Sequence, residues 1–118
     1  MSTFRAEVLR HRDSRLNEGL LWVGDKPFPA LIETFTVPEP VFEVRRVVLL
    51  MERNVTLSII WGTATHSDNW PVYLGQLFVE EPNLVEVGII RNGQLEGDPL
   101  EYQTTDQVLE LIRQAQEE

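Results

Sequence analysis

The chain contains no cysteine, which excludes disulfides, thiolate metal sites and cysteine nucleophiles and leaves the fold to rest on packing alone. Histidine is nearly as scarce. With only His11 and His66, a transition-metal site would need carboxylates at a ligand spacing the sequence does not offer. No apolar run approaches the ~20 residues that cross a bilayer, and the opening Met1 to Arg15 lacks the apolar centre of a signal peptide. The expectation is a cytoplasmic chain without membrane contact or cofactor. The seven glycines stand singly at turns and strand ends, so no phosphate-cradling loop is present. Lys26 is the only lysine among ten basic residues, against nineteen acids, and this balance disfavours nucleic acid as a partner, because neutralising phosphates needs an extended basic surface.

What the chain has instead is acid, unevenly placed. Residues 1–53 hold eight acids and eight bases, whereas residues 54–118 hold eleven acids with only Arg91 and Arg113 as bases. The whole net charge of −9 therefore lies in the second part. Such an imbalance suits either solubility or a basic protein partner, because charge of one sign speeds encounter with its opposite and selects against wrong partners. A length of 118 residues matches one domain with one core spanning residues 1–118.

Alternation and turn signals dominate until about residue 102. Phe4, Ala6 and Val8 alternate with polar residues as a strand or a short helix, and Leu20 to Val23 stops at Gly24-Asp25-Lys26-Pro27. Ala30 to Phe35 is strand-like and ends at Val37-Pro38-Glu39-Pro40, a linker or an edge. Val41 to Met51 turns apolar on both faces toward its end, as a strand entering the centre of a sheet does. Glu52-Arg53-Asn54 then turns the chain into Val55 to Trp61, and a further run, Val72 to Val79, precedes the turn Glu80 to Asn83. Leu84 to Ile90 leads into Asn92-Gly93, the two positive-φ positions of a type I′ hairpin, so Ile89 to Arg91 should pair with Gln94 to Glu96. Thr104 with Gln107 forms a capping box, and Val108, Leu111, Ile112 and Ala115 recur at helical spacing from Thr105 to about Gln114. The fold expected is α+β: a mostly antiparallel, meandering sheet of five to seven strands with an amphipathic C-terminal helix on one face.

Two groups of residues invite a functional reading. The loop from Trp61 to Trp70 gathers His66, Ser67 and Asp68 between two tryptophans, but adjacent residues point in different directions, and a hydrolytic triad is assembled from distant positions. A solvated surface loop accounts for these polar residues, with a contact role open to His66 and Trp70; Trp61 fits core packing. The basic cluster Arg10 to Arg15, which includes His11, reads as a solvated face that Glu7 and Asp13 neutralise. The second group is the acids of neighbouring turns and strands, Glu80, Glu81, Glu86, Glu96, Asp98 and Glu101, expected to project as a patch that a basic partner could meet.

The β-meander followed by Asn92-Gly93-Gln94, then Pro99, then a helix opening at Thr104 to Leu109, resembles bacterial immunity proteins of polymorphic-toxin systems, the family found beside deaminase-type toxins. That resemblance covers the last third of the chain. It implies a non-enzymatic inhibitor that sits over the active site of a basic toxin. Two alternatives stay open beside it: a small acidic secretion chaperone working as a homodimer, and a ligand-binding or catalytic domain built around Trp61, His66 and Trp70.

Overall fold

The computed structural model describes residues 3–11, 16–37, 42–51, 54–62, 65, 67 and 80–117. Among these residues eight strands and one helix follow one another: β1 Phe4–His11, β2 Leu16–Val23, β3 Lys26–Val37, β4 Phe42–Leu50, β5 Val55–Gly62, β6 Val85–Arg91, β7 Gln94–Leu95, β8 Leu100–Gln103 and α1 Thr105–Glu117. Every pairing is antiparallel and sequential, from β1 to β7, with β8 joining the edge of β6 beside β7. The strand count exceeds the expected five to seven because the two short segments β7 and β8 each pair with the same edge of β6. The run Val72 to Val79 lies outside the described residues.

The turns follow their local chemistry. Asn92 and Gly93 adopt φ of 54° and 80°, and Arg91 pairs with Gln94 across them, as a two-residue hairpin with both central residues in the left-handed region requires. Asn54, at φ 62°, turns β4 into β5, closed by Met51 N–H donating to Val55 O at 2.8 Å. The first segment is a strand rather than a helix and runs on to His11, with an irregularity between Val8 and Arg10 that leaves Leu9 exposed. β3 begins at Lys26, earlier than expected, and includes Pro27 and Pro29. β4 pairs with β3 only from Leu31 onward, so the proline-bearing start has a strand on one side alone among the described residues, where a missing donor costs nothing.

One face of the sheet carries the core. Phe4 and Ala6, Leu21 and Val23, Ile32, Val47 and Leu49, Leu57, Ile59 and Trp61, and Val85 and Val87 are all buried on it. A backbone bond from Phe4 N–H to Pro82 O at 2.9 Å ties the first strand to the approach to β6, so the sheet curls around this face. The helix covers it. Its capping box forms as expected, with Thr104 N–H donating to Gln107 Oε1 at 2.8 Å and Gln107 N–H to Thr104 Oγ1 at 3.3 Å. Val108, Ile112 and Ala115 point inward, while Leu109 and Leu111 are half-buried at the margin. Burying a residue such as Ile112 contributes ~1.5–3 kcal/mol, which makes docking rather than helix propensity the source of this element's stability.

Candidate functional site

The core ends in a polar cluster. Arg45 stands directly across from Trp61 in the β4–β5 register, on the face that Val47 and Leu49 occupy further along the strand. A cation in that position needs a counter-charge, and Glu80 supplies it: Arg45 Nε donates to Glu80 Oε1 at 2.8 Å, with the two side chains 1% and 4% exposed. Glu80 was expected in a solvent-facing turn and is instead folded under. The reason is long-range, since its partner lies 35 residues earlier in the chain and no local pattern announces it. Breaking such a pair from one side leaves a bare charge in a low-dielectric site. The pair therefore pins the return of the chain toward β6.

Beside it, Gly62 O accepts from both Thr65 N–H at 3.3 Å and Thr65 Oγ1–H at 2.8 Å, and the Thr65 hydroxyl lies 2.6 Å from that of Ser67. Both hydroxyls are buried. Ser67 is thus part of a closed turn rather than a group presented from a polar loop. Trp61 belongs to the core at 1% exposure, and its Nε1 hydrogen meets no acceptor among the described residues. A clamp between Trp61 and Trp70 would lack its first jaw, because an indole this deep offers no face to a ligand. His66, Asp68 and Trp70 lie outside the described residues. His11 ends β1 opposite Asn17, and Arg10 is exposed.

The opposite face of the sheet is where sequence reasoning missed a feature. At the start of β4 both faces are buried, with Val44 and Arg45 each 1% exposed; toward its end, where both faces are apolar, they differ. Leu49 is fully buried while Leu50 is 66% exposed. The registers place the outward residues in adjacent rows: Arg46, Ile60 and Glu86 in one; Val48, Ser58 and Gly88 in the next; Leu50, Thr56, Ile90 and Leu95 in the third. Leu95 is 51% exposed, and Val48, Ile60 and Ile90 are half-buried. A Cβ at Gly88 would fall 3.1 Å from Leu95 Cδ1, so the leucine lies across the bare backbone of β6. The signal that could have located this surface is the doubled apolar pattern itself, which marks two apolar faces without saying that both are covered.

Acids lie along the β6–β8 edge. Glu86 is half-buried on the first row of this surface, and Glu81, Glu96, Asp98 and Glu101 are exposed. Arg91 Nε donates to Glu96 Oε2 at 2.6 Å, and between Val85 and Gln103 it is the sole base beside four acids. Tyr102 stands exposed in β8 with φ 51°. Of the residues expected to form a patch, the structure thus gathers Glu86, Glu96, Asp98 and Glu101 around β6 to β8, places Glu81 in the exposed turn before β6, and removes Glu80. No helix among the described residues is long and apolar enough to cross a membrane. No protein family, curated protein or solved structure matches this chain.

Proposed function

We propose that this chain is a non-enzymatic, acidic protein-binding module whose partner is a basic protein, acting as an inhibitor of the immunity type that blocks a toxin. The observation that carries the reading is the charge of the β6–β8 edge: Glu96, Asp98 and Glu101 are exposed there, and Arg91 is the one base in the sequence between Val85 and Gln103. Concentrated charge at a sheet edge raises the rate at which an oppositely charged protein arrives, and screening by salt weakens that effect.

The test begins with capture of binding proteins from the source cell and their identification by mass spectrometry, followed by stopped-flow association with the purified partner. Reversing Asp98 and Glu101 to Lys is expected to slow association and flatten its salt dependence, with dissociation little changed. A matched reversal of Asp25 and Glu33, in the charge-balanced part of the chain, serves as the control. Equal slowing by both pairs would mean that net charge alone matters, and no slowing by either would sink the acidic-edge reading.

A further inference from the structure

Resting on that reading, we propose that the outward face of β4, β5 and β6 is the floor of the interface, and that the basic partner seats on it a cationic amphipathic segment with its apolar side down. Three rows of outward residues on β4 to β7 span roughly 14 by 13 Å at ordinary strand and residue spacing. That is the footprint of about two turns of a helix or a short strand. The floor is apolar where it is most open, at Leu50 and Leu95, and between them Leu95 lies across Gly88 and Arg46 reaches Ser58. An aliphatic centre with a charged margin is the composition of a protein interface.

Charge decides the occupant. A second copy of this chain would bring the acids around β6 to β8 against their own kind, and like charges opposed across an interface cost affinity. A cationic segment meets the same margin with attraction. Geometry decides the mode. β7 and β8 have two and four residues, and Tyr102 adopts a left-handed backbone in the second of them, so the edge offers little length for strand addition. The face beside it offers the area.

The experiment is a titration of the ¹⁵N-labelled full chain, followed by NMR, with three peptides of equal length: an amphipathic helix of Lys and Leu, a polar cationic peptide of Lys and Ser, and an amphipathic helix of Glu and Leu. The Lys/Leu peptide is expected to bind tightest and to shift the amides of residues 46–50, 56–60, 86–90 and 94–96. The double variant Leu50→Ser, Leu95→Ser should weaken it by about tenfold or more, as loss of interface anchors does. Its unchanged spectrum elsewhere would show that the fold is intact. If reversal of Asp98 and Glu101 weakens binding while the leucine variant does not, the acidic-edge reading survives and the apolar floor is overturned. Equal binding of the Glu/Leu peptide would overturn the cationic occupant. Shifts confined to the groove of about 430 Å³ between Phe28 and the helix residues Leu109 and Ile112 would move the site elsewhere. Sedimentation showing a dimer that Leu50→Glu converts to monomer would make a second copy the occupant and overturn the proposal.

Discussion

Leu49 and Leu50 are neighbours in the chain and opposites in the structure, one fully buried in the core and the other 66% exposed. They stand for two faces of one sheet, and the exposed face is itself divided. Over β1 and β2 its large aromatic is dressed: the Arg5 guanidinium lies 5.3 Å from the Trp22 ring centre, and Trp22 Nε1–H donates to Glu7 at 2.7 Å. Across β3 to β5, Arg46 approaches Glu33 at 4.0 Å and donates to Ser58 at 3.0 Å. Toward β7 no such cover is supplied to Leu50 and Leu95 among the described residues, and the nearby acids outnumber the bases. Long side chains that lie along apolar surface shield it from water, and an apolar surface left without them is one that gains from a partner.

The comparison breaks most visibly at adjacent acids. Glu80→Ala leaves Arg45 charged in a buried site and should cost ~3–5 kcal/mol, whereas Glu81→Ala, on an exposed side chain, should change stability by no more than about 0.5 kcal/mol. Urea denaturation of the two variants checks this, and equal midpoints would show that the Arg45 pair does not hold the chain. The leucines come next. Leu49→Ala should cost ~2–5 kcal/mol through lost transfer energy and a cavity, and Leu50→Ala about 0.5 kcal/mol or less. A large loss at Leu50 in the same denaturation series would mean that its face is covered after all.

The smallest effect lies on the helix surface. Glu110 accepts hydrogen bonds from the Arg113 guanidinium, and Gln114 adds another at 3.2 Å; these donors lower its carboxyl from 4.5 to about 2. Because the folded value is the lower one, the stabilisation is fully present above about 4.5 and is lost as pH falls toward 2. Exposure keeps it small. An NMR titration of the Glu110 side chain should therefore show a midpoint that rises toward the ordinary carboxylate range in Arg113→Ala, while the bundle of core methyl signals stays in place.

Much of the local structure was legible. Asn92-Gly93 needs two positive-φ residues and Thr104 with Gln107 needs only its own first turn, so both could be read from a few adjacent positions. The helix was legible as a stripe, although its inward residues are Val108, Ile112 and Ala115, with Leu111 at the margin. Glu80 was misread because an acid in a turn looks the same whether it faces water or a distant arginine. Pro27 suggested a turn, and the stagger between β3 and β4 made it and Pro29 tolerable in a strand.

The sequence by itself determined the alternation of the strands, the hairpin turns, the capped helix and the uneven charge, because each depends on residues within a few positions of one another. Only the tertiary structure decided which of two apolar faces the helix would cover, which acid would be buried against Arg45, and which leucines would be left to solvent. Those outcomes depend on registers and pairings between residues tens of positions apart, and periodicity along the chain fixes which side chains share a face without fixing what lies over it.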